Sequence, residues 1–296
     1  MADGGYRLDL GDVTVVSLVE NPRLLIEPEE FFPQLARDRS GWCFAEPWYA
    51  DGSLVYAIQA FLVLTPERTV LVDACVGDAK TRRRPEFDDQ HTGWLAALEA
   101  TGRSPADVTD VIFSHLHVDH VGWATRRRGD AWEPVFGNAR HHVTAPEYDY
   151  WAGPDGAAAM RRTGDYLADS VQPLRERDLL RLTAPDAVID SRVRLVPAAG
   201  HTPGNVCVHV TGSESELWLV GDVMHHPLQL LRPGWSTRYC VDPAQAARTR
   251  RDLLARLAAS GAPMLPAHFA WPCAGRVARA GAGYTFEPAL DLMSAG

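Results

Sequence analysis

The chain has 296 residues, 46% of them hydrophobic and 23% charged, an ordinary globular balance. Its formal net charge of −9 argues against a nucleic-acid backbone as partner. No apolar run approaches the ~18 residues needed to span a bilayer, which argues against a membrane protein.

In chain order, Val13–Val19 reads as a first strand. Residues 20–53 are rich in Pro, Trp and Phe without clear periodicity and read as an irregular covering segment. Leu54–Leu64 and Thr69–Asp73 are β-rich runs separated by the turn signal Thr65-Pro66-Glu67. Residues 76–91 read as polar loop, and Thr92–Thr101 has helical spacing. Val108–Ser114 and Arg140–Thr144 read as strands, Pro146–Trp151 and Ala157–Val171 as helices. Strands return at Leu179–Leu182, Val193–Pro197, Val206–Thr211 and Leu217–Val220. Asp242–Ser260 reads as a helix, with Asp242 as N-cap, Pro243 at the first position and Gly261 after the end. Met264-Leu265 is a short strand, and residues 281–286 read as a turn and closing strand. The two similar halves, each β-rich and then helical, suit two sheets packed face to face with helices outside, in one domain spanning 1–296.

The five cysteines, Cys43, Cys75, Cys207, Cys240 and Cys273, are odd in number, include no CxxC pair and do not read as a disulfide framework. The N-terminus lacks a basic stretch followed by an apolar core, so a soluble, cytoplasmic protein is expected. Arg82-Arg83-Arg84 and Arg126-Arg127-Arg128 read as solvated loop faces, the alternative being a rim that attracts an anionic substrate. His91, His141, His142, His209 and His226 lack ligand spacing and read as structural.

The chemistry concentrates in Ser114-His115-Leu116-His117-Val118-Asp119-His120, directly after a strand. Alternate side chains of an extended segment share a side, so His115 and His117 can reach one metal ion. Asp119 and His120 follow as the chain turns and can face a second. Three further candidates end apolar runs beside Gly or Pro: His201, Asp222 and His268. Imidazole and carboxylate without thiolate suit Zn, Fe, Mn or Co, with Zn the default for a hydrolase.

This set resembles the metallo-β-lactamase superfamily, over nearly the whole chain. The resemblance implies an αββα sandwich with metals at one edge of the two sheets. It implies that His115, His117 and His201 hold one ion, that Asp119, His120 and His268 hold a second, and that Asp222 bridges them. Asp73, ending Val70-Leu71-Val72-Asp73, matches the superfamily's acidic residue that orients a ligand from behind. The segments around Val72–Gly77, His117–Trp123 and Gly221–Pro227, with Ala267-His268-Phe269, are similar to N-acyl homoserine lactonases and methyl parathion hydrolases. That branch implies a metal-bridging hydroxide attacking a lactone or ester carbonyl of a small molecule, with phosphotriester hydrolysis as the neighbouring alternative. Well-known homoserine lactonases carry Tyr three residues after the bridging Asp. Here His225 stands there, as a candidate carbonyl-polarising group or a structural imidazole, and Asp119 is the candidate proton carrier. An iron-dependent oxidative enzyme and a non-catalytic binding module are the competing readings. Trp42, Phe44, Trp48, Tyr49, Trp123, Tyr148, Trp151 and Trp235 are candidates to wall a pocket, and the N-terminal region is a candidate to bury itself in a homodimer.

Overall fold

Val70, Leu71 and Val72 show how the layers arise. Val70 and Val72 enter a core between two sheets, whereas Leu71 enters a second core under helices. Phe61 and Val63 alternate with Leu62 in the same way. Both faces of this sheet are buried, which explains the near-continuous apolar runs. A computed structural model describes residues 5–37 and 47–294. Trp42, Cys43 and Phe44 lie outside the described residues.

The first sheet runs in the order Leu180–Thr183, Arg140–Thr144, Asp110–Ile112, Thr69–Val72, Ser53–Leu64, Thr14–Ile26, Arg7–Asp9 and Met293–Ser294, with Tyr49–Ala50 beside Ser53–Leu64. The second is Val193–Pro197, Val206–Thr211, Glu216–Gly221, Met264–Pro266, Gly275–Ala280 and Gly283–Pro288. Helices including Trp94–Glu99, Ala145–Ala152 and Tyr166–Ser170 cover the first sheet. The helix Pro243–Ser260 covers the second through Leu253, Leu254 and Leu257. Its Asp242 side chain accepts from Gln245 N at 2.8 Å, and Gly261 ends it at φ 72°. The result is the expected α/β/β/α sandwich. Among the described residues no helix is long and apolar enough to cross a membrane.

Three local expectations change. The strand beginning at Thr14 continues to Ile26, well into the segment read as irregular. It pairs with Ser53–Leu64 through register shifts at Val19/Asn21 and Asn21/Leu24, and its far half is partly exposed. Bulges and half-exposure erase the alternation that marks a strand. The stretch Ala157–Val171 is two helices, Pro154–Met160 and Tyr166–Ser170, parted at Gly164 (φ 103°). The closing strand is a hairpin, because Gly275–Ala280 pairs with Gly283–Pro288.

The arginine triplets divide: Arg126, Arg127, Arg128 and Arg83 are solvent-exposed as expected, whereas Arg82 is buried. Arg126–Arg128 lies on an exposed two-stranded hairpin with Ala131–Pro134. Arg82 is buried and paired with Asp169 at 2.5 Å, and Lys80 is buried 3.3 Å from the same carboxylate. The one carboxylate holds both cations beneath the loop 76–91.

Glu20 ties the strand ends together. Its carboxylate accepts from Val76 N (2.8 Å), Gly77 N (3.1 Å) and Trp123 Nε1 (2.6 Å). Gly122 is required beside it, since a Cβ there would lie 1.7 Å from Val76 O. Burial raises the Glu20 pKa from 4.5 to about 7, against the three donors that pull it down. The native state therefore keeps a proton that the unfolded chain has released. Stability from this group is complete below pH 4.5 and lost as pH rises through about 7. In urea titrations of chelator-treated protein, wild type should lose about 1–2 kcal/mol relative to Glu20→Gln between pH 5 and 8. A difference independent of pH would contradict this.

Candidate metal centre

Five strand ends converge on one edge of the sandwich. Thr69–Val72 and Asp110–Ile112 run parallel and deliver Asp73 and the His115–His120 segment. Glu216–Gly221 and Met264–Pro266 run parallel and deliver Asp222 and His268. Val193–Pro197, two strands away from Glu216–Gly221 through antiparallel pairings, points the same way and delivers His201. Asp73 leaves its strand at φ 62°, a left-handed conformation that a non-glycine residue adopts only when its surroundings enforce it. They do: its carboxylate accepts from Ser114 N (2.7 Å) and Ser114 Oγ (2.8 Å) and meets His120 Nδ1 at 2.8 Å.

The structure brings all seven proposed ligands together in two groups: His115, His117, His201 and Asp222, and beside them Asp119, His120 and His268. In the first, His117 Nδ1 lies 2.9 Å from His115 Nε2 and 2.8 Å from His201 Nε2. Asp222 stands between the groups. Its Oδ2 is 3.1 Å from His201 Nε2, and its Oδ1 is 3.3 Å from His120 Nε2 and 3.0 Å from His268 Nε2. Asp119 Oδ2 lies 3.7 Å from His268 Nε2.

The outward nitrogens are engaged elsewhere. His115 Nδ1 meets Ser114 Oγ at 3.1 Å, His201 Nδ1 meets Cys240 Sγ at 3.5 Å, and His268 Nδ1 donates to Ala57 O at 2.8 Å. In the neutral tautomers these contacts set for His115 and His201, the inward nitrogens carry lone pairs. Burial depresses the pKa of His117 to about 3 and of His201 to about 4, and His115 falls well below its usual value. For His120 burial acts in the same direction, but Asp222, Asp73 and Asp119 outweigh it and raise the pKa to about 10. At the centre, His120 Nε2, Asp222 Oδ1 and both ring nitrogens of His225 are buried and make no hydrogen bond. The ring nitrogens of His115, His117 and His201 face one another beside the buried Asp222 carboxylate, an arrangement a cation resolves, so the residues fit metal ions.

His225 also reaches the centre. It is buried, its Nε2 lies 3.1 Å from Asp222 Oδ2, and its ring stacks 5.7 Å from His268. Burial lowers its pKa against the pull of Asp222, which favours the neutral ring.

A cavity of about 530 Å³ opens onto the centre, with Asp119, His225, Phe31, Tyr56, Trp151 and Tyr239 in its wall. Of the described aromatics proposed from sequence, Trp151 lines it. Trp123 instead stacks on Trp94 at 5.6 Å, Trp48 packs on Phe286, Tyr148 meets Arg175, and Trp235 packs on Phe32. Phe31, Tyr56 and Tyr239 are not among the aromatics that the sequence singles out. Phe31 lies in the segment read as irregular, and Tyr56 lies in a continuously apolar strand with no signal for which face meets a cavity. The remaining histidines behave structurally where contacts exist: His142 bonds Asp110 (2.9 Å), His209 bonds Glu216 (2.6 Å) and His226 bonds Trp48 O (2.8 Å). Cys75, Cys207, Cys240 and Cys273 are free and buried.

Comparisons agree with this geometry. N-acyl homoserine lactonase AttM of Azorhizobium caulinodans is 31% identical over 190 residues, 61% of this chain and 66% of that protein. N-acyl homoserine lactonase AttM of Rhizobium radiobacter is 33% identical over 121 residues, 40% of this chain and 41% of that protein. The matches thus span less than two thirds of these relatives' own length. Two solved structures share the fold with a TM-score of 0.78. The hydrolase AbOPH in the beta lactamase superfamily is 23% identical, with 97% of this chain and 98% of that one covered. AidC, a dizinc quorum-quenching lactonase in complex with a product, is 24% identical, with 96% and 97% covered. The family model of the metallo-beta-lactamase superfamily matches residues 53–268, a stretch that contains all seven converging residues. The chain belongs to the metallo-β-lactamase superfamily.

Proposed function

We propose that this protein is a dinuclear metal-dependent hydrolase of a lactone or ester carbonyl. The observation that carries the reading is Asp222, one carboxylate with an oxygen turned toward each of two groups of imidazoles. In this reading His115, His117 and His201 hold one ion, Asp119, His120 and His268 hold a second, and Asp222 joins them. Zinc suits the donor set, as do iron, manganese and cobalt. Ions bound there lower the pKa of a water toward ~7 and polarise the carbonyl oxygen.

The chain's own residues do the rest. The cavity's aromatic wall holds the apolar part of the substrate and excludes bulk water. The neutral His225 ring, beside Asp222 at the cavity wall, donates a hydrogen bond to the oxygen that gains charge. Asp119, also at the wall, accepts the proton of the attacking water and returns it to the departing alkoxide oxygen. The products are a carboxylate and an alcohol, joined in one molecule when the substrate is a lactone. Similarity to N-acyl homoserine lactonases supports the lactone class. His225→Phe is expected to lower kcat about 10–100-fold with metal content unchanged. Unchanged kcat would assign His225 a packing role.

Turnover of an N-acyl homoserine lactone, an aryl ester and a phosphotriester by the metal-loaded protein tests the function. Chelator-sensitive hydrolysis of the lactone or ester is expected. Preference for the phosphotriester would move the reading to that class, and oxygen consumption with one bound iron would move it to oxidative chemistry. The second group, complete in Asp119, His120 and His268, favours two ions over one.

A further inference from the structure

Glu147 is a carboxylate with 0% exposure, on the first turn of the helix Ala145–Ala152. Its Oε1 accepts from Leu116 N at 2.9 Å and from Trp151 Nε1 at 2.6 Å, and its Oε2 accepts from Gly204 N at 2.9 Å. Leu116 is the link between His115 and His117, and Gly204 closes the loop that presents His201. Trp151 lays its ring edge-to-face against His117, 5.1 Å between centroids. The approach is too close for any side chain at Gly204, where a Cβ would lie 2.3 Å from both Glu147 N and Thr144 Oγ1. Thr144 Oγ1 adds a bond to Gly204 O at 2.7 Å. No bond from Glu147 reaches Asp119, His120 or His268. That second group has its own anchor in Asp73.

We propose that Glu147 is the positioning residue of the first metal group, clamping the His115–His117 segment, the His201 loop and the Trp151 ring through one buried carboxylate. The proposal rests on the reading of His115, His117 and His201 as ligands. A buried carboxylate is retained only when its oxygens are filled by donors, and here all three donors come from elements that aim those ligands. The two carboxylates differ in reach: Glu147 touches only elements that carry the first group, whereas Asp73 braces His120 directly and His115 through Ser114. Glutamine cannot replace it, because an amide keeps one acceptor oxygen and turns an NH2 toward either Gly204 N or the Leu116–Trp151 pair.

The test is metal titration of chelator-stripped protein with cobalt(II) and zinc against a competing chelator, read by absorption and by bound metal per chain. Wild type should take two ions. Glu147→Gln should weaken one of them about 10–100-fold and leave the other unchanged. In a double-mutant cycle the loss should vanish on a His117→Ala background and persist on a His120→Ala background. Equal weakening of both ions, a loss that tracks only a lower melting temperature of the stripped protein, or no loss would overturn the assignment. If Glu147→Gln does not fold, Trp151→Phe decides, since it keeps an aromatic ring at that position and removes one donor: a several-fold weakening of the same ion supports the clamp, and unchanged binding overturns it. Failure of wild type to bind metal overturns the ligand reading and the clamp together, whereas two ions in wild type and an unaltered variant overturn the clamp alone.

Discussion

Asp222→Ala should empty both metal positions and lower turnover by a factor on the order of 10³ or more. The size of the effect follows from where the carboxylate stands. Its two oxygens face five imidazoles: Oδ2 lies 3.1 Å from His201 and His225 and 3.7 Å from His115, and Oδ1 lies 3.3 Å from His120 and 3.0 Å from His268. Burial would push its pKa up, yet His268, His120, His225 and His115 hold it well below the usual carboxylate value, so it is charged. Alanine removes the charge shared by both groups and leaves each with one ligand fewer. Elemental analysis after dialysis, paired with lactone turnover, checks the expectation. Two retained ions with full turnover would sink the bridging role.

Asp119→Asn should act on one side only. Asp119 belongs to the second group and also faces the cavity. Burial raises its pKa, but His120 and His268 outweigh that and keep it below the usual value. The amide is a weaker ligand and cannot take up and return a proton at neutral pH. The expected result is one ion held as in wild type, the second weakened, and kcat lowered about 10²–10³-fold. Saturating metal separates the two roles of this residue. If excess zinc restores the second ion but not kcat, proton transfer is the missing function. Full recovery of kcat would reduce Asp119 to a ligand.

The centre was legible because metal ligands leave marks at short range. HLHVDH places four metal-competent side chains in six residues, a density with little structural use, and His201, Asp222 and His268 each end an apolar run beside Gly or Pro. The supporting shell left no such mark. Glu147 stands in Pro146-Glu147-Tyr148, where an acidic residue on a first helical turn reads as an ordinary solvated partner of the helix dipole. Only the approach of Leu116 and Gly204, far away in sequence, turns it into a buried acceptor. Arg82 and Arg250 were hidden for the same reason. Arg250 donates to Val223 O at 2.8 Å and to Pro233 O at 3.0 Å, bracing the loop that carries Asp222 and His225. A charged residue's burial is a tertiary fact that neither spacing nor composition encodes. Other misses were avoidable. Gly164 followed by Asp165, whose side chain accepts from Ala168 N, is a helix stop and start within the stretch read as a single helix.

The most direct test of the central claim is metal content of protein purified without chelator, measured together with lactone hydrolysis before and after chelation. The account predicts about two divalent ions per chain, and hydrolysis that disappears on stripping and returns on reconstitution. A protein that holds no metal, or that hydrolyses lactone equally well when stripped, would contradict it.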